Sequence, residues 1–326
     1  MKRELDQEVQ GQAFAPEERV QAPKERVQAP IVQMQAPDKR VQAPDKRMQA
    51  LDTQEARATI DENGVGVIRF PCFEELAWLA HGFSTRIGGV SKGTYASMNL
   101  SFTRGDDPED VMRNFQIFGK AIGIGVENMV FSAQTHTDHI RIVTEADCGK
   151  GIIRKQDYTD TDGLITQEKG VALVTFFADC IPLFFVDVRL HVIASSHSGW
   201  RGTVKGIGAK TLRMMQQTFG CCLNDIVVVI GPGICQDCYE VSQDVADAFT
   251  KAFPPEEWAY ILRSHGEGHY LLNLWKANEL LLIRAGLPAS NIHTAGICTH
   301  CHSDLLWSHR TQGSQRGSLA GFLMLL

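Results

Sequence analysis

The sequence predicts a mixed α/β (α+β) fold: one layered domain with a central mixed β-sheet and packed helices, preceded by a disordered tail. Short apolar runs of strand length alternate with amphipathic segments of helical spacing, which indicates sheets covered by helices. The 326-residue chain is 44% hydrophobic, enough for a substantial core. We assign residues 1–55 to the tail and residues 60–326 to the folded domain, with a layered α/β/β character.

The tail carries a seven-residue repeat that cannot form a coiled coil. Residues 15–49 read APEERVQ, APKERVQ, APIVQMQ, APDKRVQ and APDKRMQ. The proline in each unit would cost a helix about 3 kcal/mol. Each unit also offers only about one medium apolar side chain, too little to offset the entropy of ordering. The repeat therefore predicts a disordered spacer, and a tail that binds a protein partner is the alternative.

Strand and helix patterns follow one another from about residue 60. Apolar runs predict strands at 65–70, at the start of 81–102, and at 128–136, 171–187, 191–199 and 225–234. The segment 107–124 has an early proline, acids in its first turn and apolar helical spacing, so it predicts a helix. The same spacing predicts helices at 204–220, 241–253 and 275–286.

Composition narrows the possible partners and the compartment. A net charge of −6 and a pI near 6.0 do not favour a nucleic-acid or acidic-membrane partner. No apolar run approaches the roughly 18 residues of a membrane span. The charged start MKRELDQEVQ predicts no secretory signal. Nine cysteines, an odd number, favour reduced thiols and a cytoplasmic protein.

Three residues with metal-binding side chains end or interrupt predicted strands: His136, Cys180 and His197. Only neighbouring strands could bring them together. Two imidazoles and a thiolate suit Zn²⁺ with an open fourth position, as in catalytic sites, and copper is the other metal such a set can hold. The alternative is a buried structural thiol and two hydrogen-bonded core histidines.

Seven sequence blocks resemble the laccase-domain family, which includes bacterial YfiH-type proteins and the vertebrate laccase domain-containing 1. They are HGFSTRIGGVS (81–91), QTH (134–136), TDGLIT (161–166), ADCIPLFFVD (178–187), SHSGWRGTVKGI (196–207), IGPGICQDCYEV (230–241) and CTHCHSDLLWSHRTQG (298–313). This resemblance implies a YfiH-like fold over about residues 65–325. It also implies that His136, Cys180 and His197 are the metal ligands.

The resemblance further implies a purine nucleoside enzyme. The family's activities are phosphorolysis of adenosine, inosine, guanosine and S-methyl-5'-thioadenosine, together with adenosine deamination. Purine nucleosides and phosphate are therefore the expected partners, and Zn²⁺ the expected cofactor. The chain departs from the family pattern at Thr137, Ser196, Ser198, Cys235, Asp237, Thr311 and Gln312. These positions are expected to form the pocket walls, so the departures affect substrate preference.

Four further residues are candidates for the site. Arg86, in a glycine-rich loop, and Arg201, just before a predicted helix, could bind phosphate, or each could form a structural ion pair. Asp179, beside Cys180, is expected to be a structural carboxylate or a general acid/base. His139 is a possible base or hydrogen-bond donor to the site, unless it is simply solvated.

Two motifs suggest other chemistry. HCH (300–302) resembles a multicopper-oxidase element, but it is the only H-x-H among 11 histidines, so a full laccase site is not expected. A copper-dependent phenol oxidase remains an alternative, as does a non-enzymatic metal-stabilised scaffold in metabolic or immune regulation. Cys298 and Cys301 form half of a zinc site, which would need Cys235 and Cys238 nearby. Reduced cysteines in a pocket loop are the simpler interpretation.

Overall fold

Two six-stranded mixed β-sheets pack face to face in the computed structural model, which describes Met48 and residues 52–326. The predicted mixed α/β fold is confirmed, with the strands divided between two layers. The predicted tail, residues 1–55, lies outside the described residues apart from Met48, which is buried, and residues 52–55. There, Thr53 Oγ1 donates a hydrogen bond to the carbonyl of Ala295 at 2.9 Å.

The first sheet is antiparallel except at one edge. Its order is β1 (Arg57–Ile60), β2 (Gly66–Arg69), β3 (Leu79–Ser84), β15 (Leu319–Leu325), β7 (Ala172–Phe177) and β4 (Met129–Phe131). Only β4 and β7 pair in parallel within it.

The second sheet has its two seven-residue strands side by side at its centre. Its order is β14 (Ile292–Thr294), β10 (Ile226–Ile230), β8 (Ile181–Asp187), β9 (Val192–Ser198), β6 (Gly163–Thr166) and β5 (Ile140–Ile142). A third, small sheet has the order β11 (Glu240–Ser242), β13 (His269–Leu272) and β12 (Leu262–Ser264).

Eight α-helices flank the sheets within residues 52–326. They are α1 (Pro71–Glu74), α2 (Pro108–Ile122), α3 (Trp200–Val204), α4 (Ile207–Phe219), α5 (Gln243–Ala252), α6 (Pro255–Ile261), α7 (Leu274–Arg284) and α8 (His309–Gln312). None of the helices described between residues 52 and 326 is long and apolar enough to cross a membrane.

Three apolar clusters hold these layers together. The cluster between the sheets includes Phe83 and Phe177 from the first sheet and Phe184 from the second, all almost fully buried. A second cluster packs α4 and α7 on the outer face of the second sheet, and a third packs α2 on the first. Burial of each large apolar side chain stabilises the folded state by roughly 2–3 kcal/mol. The layers therefore stack with their apolar faces against one another.

Helix α2 begins and ends where its local sequence predicts. The Asp107 side chain caps it by accepting a hydrogen bond from the Glu109 N–H at 2.8 Å, and Pro108 occupies the first turn. Gly123 ends the helix with a φ of 74°, a conformation that glycine adopts readily. The predicted boundaries, 107–124, therefore fall within two residues of the observed ones.

The predicted strand 171–187 is in fact two strands in different sheets. Strand β7 belongs to the first sheet and β8 to the second, and the chain crosses between the layers at residues 178–180. Asp179 has a φ of 88°, which no β-strand tolerates. The long apolar run is buried along its whole length, and its periodicity therefore does not reveal the break.

Two other predicted elements are also shorter than expected. The predicted helix 204–220 begins only at Ile207, as α4, because Gly206 before it has a φ of 74° and Val204 ends the separate helix α3. The predicted strand 128–136 ends at Phe131, and the remaining residues form a loop that leads to His136.

Candidate metal centre

His136, Cys180 and His197 come together where the two sheets meet. His136 lies in the loop after β4, Cys180 at the crossover between β7 and β8, and His197 in β9. The Sγ atom of Cys180 is 3.9 Å from Nε2 of His136, and the three ligand atoms all lie within 4.8 Å of one another. The two imidazole rings are nearly perpendicular, with 4.9 Å between their centroids.

The crossover that presents Cys180 is held by hydrogen bonds to Asp179. One carboxylate oxygen accepts from the Thr299 hydroxyl and the other from the Arg310 backbone N–H, both at 2.6 Å. The Asp179 carbonyl accepts from the Ile234 N–H at 2.9 Å. These bonds offset the roughly 1–3 kcal/mol that a positive φ costs a non-glycine residue. Both carboxylate oxygens of Asp179 are therefore engaged in holding the crossover.

A second carboxylate, Asp162, organises both histidines and was not among the predicted site residues. Its fully buried side chain accepts hydrogen bonds from the backbone N–H groups of Thr135 (2.9 Å), His136 (3.1 Å) and Thr137 (3.1 Å). It also lies 2.7 Å from Nδ1 of His197. Asp162 thereby holds the loop in which His136 adopts a φ of 64°. The only signal in the sequence is an acidic residue directly before the buried strand β6.

The contact with Asp162 sets which ring nitrogen of His197 faces the site. When Nδ1 donates to the carboxylate, Nε2 is left free for a ligand, the arrangement common to metal-binding histidines. Burial raises the pKa of Asp162, but the hydrogen bond and charge of His197 outweigh it and lower the pKa below its ordinary value. The carboxylate is therefore ionised at neutral pH.

The same environment favours a thiolate at Cys180. Burial alone would raise the pKa of the thiol, yet the charge of His197 and hydrogen bonds with both histidines lower it to about 6. Burial lowers the pKa of His197, but the Cys180 charge and the hydrogen bond with Asp162 outweigh it and raise the pKa to about 9. A thiolate is the form in which cysteine binds metals.

Gly199 keeps the space in front of the three ligands open. A Cβ atom at this position would lie 3.0 Å from Cys180 Sγ and 3.1 Å from Cδ2 of His136. Its φ of −72° is available to any residue, so glycine provides space here and not backbone freedom.

The spacing of the donors fits a tetrahedral metal ion. Zn–S and Zn–N bonds of about 2.3 and 2.0–2.1 Å imply a sulfur–nitrogen separation of about 3.6 Å, close to the 3.9 Å between Cys180 and His136. The residues therefore form a possible metal site of two histidines and one cysteine. The donor set suits either zinc or copper.

The structure places the predicted anion-binding residues in different environments. The Arg86 guanidinium stacks on Trp307 at 3.8 Å and donates to the carbonyls of Ser303 and Ala96, while its Nε has no hydrogen-bond partner within the described residues. Arg201 is exposed in α3, with its guanidinium 4.3 Å from the ring of Trp200.

His139 lies at the surface and contacts another side chain. Its Nδ1 atom is 2.8 Å from Oδ2 of Asp160, and its side chain is 64% exposed. The backbone carbonyl of His139 accepts hydrogen bonds from the N–H groups of Asp162 and Gly163, so this residue supports the Asp162 region through its main chain.

Arg316, which the sequence did not single out, interacts with the charges of Cys180 and of a second arginine, Arg104. Arg316 is 6% exposed, and its Nε, like that of Arg104, has no hydrogen-bond partner within the described part of the chain. Burial lowers the pKa of Arg316 to about 10, and the Arg104 charge acts in the same direction, while the charges of Asp179 and Cys180 oppose it. The local sequence GSQRGS resembles a surface loop and does not reveal this burial.

Comparisons with known proteins agree with this architecture. The family model described as "Multi-copper polyphenol oxidoreductase laccase" matches residues 80–326. The crystal structure of the hypothetical protein YfiH from Bacillus licheniformis is 30% identical and has a TM-score of 0.77; the match covers 84% of this chain and 100% of that one.

Two curated relatives have names that state an activity. Purine nucleoside phosphorylase YlmD from Geobacillus stearothermophilus is 36% identical over 249 residues, 74% of this chain and 88% of that protein. Adenosine deaminase RL5, from an unknown prokaryotic organism, is 32% identical over 238 residues, 72% of this chain and 90% of that protein. The family match over most of the folded domain, with these relatives and the YfiH structure, shows that the chain belongs to the laccase-domain family.

Proposed function

We propose that the protein is a zinc-dependent purine nucleoside phosphorylase with adenosine deaminase activity. Its substrates would be adenosine, inosine, guanosine and S-methyl-5'-thioadenosine, with phosphate as the second substrate. The observation that carries the proposal is the convergence of His136, Cys180 and His197 on one point. The names of the relatives indicate the chemistry that such a site serves in this family.

His136, Cys180 and His197 would hold the metal, with the fourth side open toward Gly199. When bound, Zn²⁺ supplies a Lewis acid and a means of activating water at neutral pH. Asp162 keeps the His197 ring oriented and fixes the backbone of His136, so the ligands are ordered before substrate arrives.

Arg316 and Arg104 would attract the phosphate. Arg316 is buried and Arg104 is half-buried, and neither Nε has a hydrogen-bond partner within the described residues. Burying two positive charges costs free energy, which a bound anion would offset. Since Arg316 interacts with the charge of Cys180, phosphate held there would lie near the metal centre. Arg201, exposed at the start of α3, could guide anions toward the site.

Product analysis with one variant tests the proposal. Adenosine plus phosphate should give adenine and ribose 1-phosphate, and adenosine without phosphate should give inosine and ammonia. Cys180→Ala should lose both activities, and Cys222→Ser, an exposed cysteine outside the site, should keep both. Full phosphorolysis by the Cys180→Ala protein would refute the site assignment.

A copper-dependent phenol oxidase is the second candidate, because the same ligand set accepts copper and the family description names a copper oxidase. Among the described residues, the other group of three or more metal-ligating side chains consists of cysteines, so the geometry favours a single-metal centre. Stoichiometric copper with oxygen consumption would support the oxidase. An absence of turnover on either substrate class would support the scaffold alternative.

The free thiols favour a cytoplasmic setting for this activity. All nine cysteines lie in the described region and none forms a disulfide, as is usual in a reducing compartment. Fractionation of cells that express the full chain tests this placement, and a membrane-bound or secreted pool would contradict it.

A further inference from the structure

Four cysteines from two distant segments form a second cluster of metal-ligating side chains. They are Cys235, Cys238, Cys298 and Cys301, and their Sγ atoms all lie within 4.8 Å of one another. We propose that they bind a structural zinc ion as a closed four-thiolate site. The sequence raised this site only as the less simple interpretation, because no pattern in it shows that the two C-x-x-C segments meet.

The backbone brings the two segments side by side. Gly233 and Cys298 form a parallel bridge, in which the Gly233 N–H donates to the carbonyl of Ile297 and the Thr299 N–H donates to that of Gly233, each at 3.1 Å. Each C-x-x-C segment then turns back on itself. In the first segment, the Cys238 N–H donates to the Cys235 carbonyl at 3.2 Å, and this turn brings the sulfur atoms of the two cysteines to the same side.

The sulfur spacing fits a tetrahedral ion. Zn–S bonds of about 2.3 Å imply sulfur–sulfur separations of about 3.8 Å, and Cys238 and Cys301 lie 3.5 Å apart. A disulfide would require about 2.05 Å. Four sulfurs complete the tetrahedron and leave no open position, which is typical of a structural site.

Backbone donors stabilise the charge that such a site accumulates. Four thiols release their protons on binding Zn²⁺, so the site carries a net charge of about −2. The N–H groups of Cys235 and Cys301 donate to Sγ of the buried Cys298 at 3.3 and 3.4 Å. The Arg310 guanidinium adds a positive charge nearby, since it donates to the Cys238 carbonyl at 3.3 Å.

The zinc ion would join two segments that support the catalytic centre. Cys238 and Cys301 are 63 residues apart in sequence. The joined segments supply Ile234 and Thr299, which hydrogen-bond Asp179. Arg310 also bonds Asp179 and donates to the Cys238 carbonyl. A metal cross-link at this point would hold the crossover that presents Cys180, without itself contacting substrate.

Metal analysis of the full chain tests the proposal. Cys301→Ser should contain one zinc equivalent per chain less than the wild type, and Cys222→Ser, the matched exposed cysteine outside the cluster, should contain as much as the wild type. Cys180→Ala removes a ligand of the other centre only, so failure of one assignment leaves the other measurable. Unchanged zinc in Cys301→Ser, or iron in place of zinc, would overturn the proposal.

A measurement on protein with the cluster intact avoids the risk that Cys301→Ser does not fold. Cobalt-substituted Cys180→Ala should show a thiolate-to-cobalt charge-transfer band with the intensity of four sulfur ligands. The four cysteines should also resist alkylation until a chelator is added. A missing band, or alkylation of all four thiols without chelator, would refute the site.

Discussion

The Nδ1 atom of His197 lies 2.7 Å from Oδ1 of Asp162, and both side chains are almost completely shielded from solvent. The same carboxylate accepts the backbone N–H of His136 at 3.1 Å. One buried aspartate therefore positions two of the three candidate metal ligands, and the variants below separate its role from those of its neighbours.

Asp162→Asn should weaken metal binding about 10- to 100-fold. An asparagine has one acceptor oxygen, so its amide would face donors that Asp162 now satisfies. Competition with a chelator measures the affinity. Asp160→Asn is the matched control, because Asp160 pairs with His139 at the surface. Equal affinities for the two variants would contradict the role given to Asp162.

Gly199→Ala should lower metal content without unfolding the protein. The added methyl group would lie 3.0 Å from Cys180 Sγ, which is closer than van der Waals contact allows, while the backbone conformation suits alanine. Metal analysis and thermal unfolding with a chelator present are the measurements. The chelated variant and chelated wild type should unfold within a few degrees of each other. A full metal complement in the variant would show that this space is not needed.

Asp179→Asn should destabilise the protein by about 1–3 kcal/mol, because the amide has one acceptor oxygen and cannot accept from both the Thr299 hydroxyl and the Arg310 N–H. Denaturant unfolding measures this loss, and Thr299→Val, which removes one of these two donors, should also destabilise. If Asp179 is only structural, the pH profile of kcat keeps its shape. Loss of one limb of the profile would instead indicate a general acid or base.

Arg316→Gln should raise the KM for phosphate about 10- to 100-fold, the range expected for a lost charge-assisted hydrogen bond. Deamination, which consumes water, should fall by a smaller factor. The folded state should lose little stability, since the hydrogen bonds that Arg316 donates go to the carbonyl of Gly317 and the hydroxyl of Ser318, within two residues of it. Arg189→Gln, which breaks an exposed ion pair with Asp225, is the control. Equal losses in both reactions would contradict a phosphate-specific role.

His81 should make the fold sensitive to acid. Burial, with a smaller contribution from the charge of Arg69, lowers its pKa to about 3, and its Nε2 accepts the Phe70 N–H at 3.1 Å. The folded state thus favours the neutral ring, whereas the unfolded chain binds a proton below its ordinary pKa of about 6.5. The stability that the neutral His81 ring gives the folded state is complete above pH 6.5 and is lost progressively as the pH falls toward 3.

Because of His81, the free energy of unfolding should fall by roughly 2 kcal/mol between pH 6.5 and 5. Denaturant unfolding at several pH values measures it. His81→Gln should flatten this part of the curve, because the amide oxygen can accept the same hydrogen bond but does not titrate. An identical slope in the variant would assign the acid sensitivity to other groups.

Predictions from the sequence were correct where neighbouring residues determine the bounds of an element. Helix α2 was located to within two residues because Asp107, Pro108 and Gly123 set its ends. The strand 171–187 was predicted as continuous because its break depends on Asp179, whose partners Thr299 and Arg310 are 120 and 131 residues away. No pattern within the strand itself contains that information.

The sequence by itself determined the alternation of strands and helices, the blocks shared with the laccase-domain family, and the three candidate ligands. Only the tertiary structure decided that Asp162 links His136 to His197, that Arg316 is buried, and that Cys235 and Cys238 meet Cys298 and Cys301. Periodicity and capping act over a few residues and can be read along the chain. Contacts between sheet layers and between distant turns depend on how the whole core packs, so they exist only once the fold is complete.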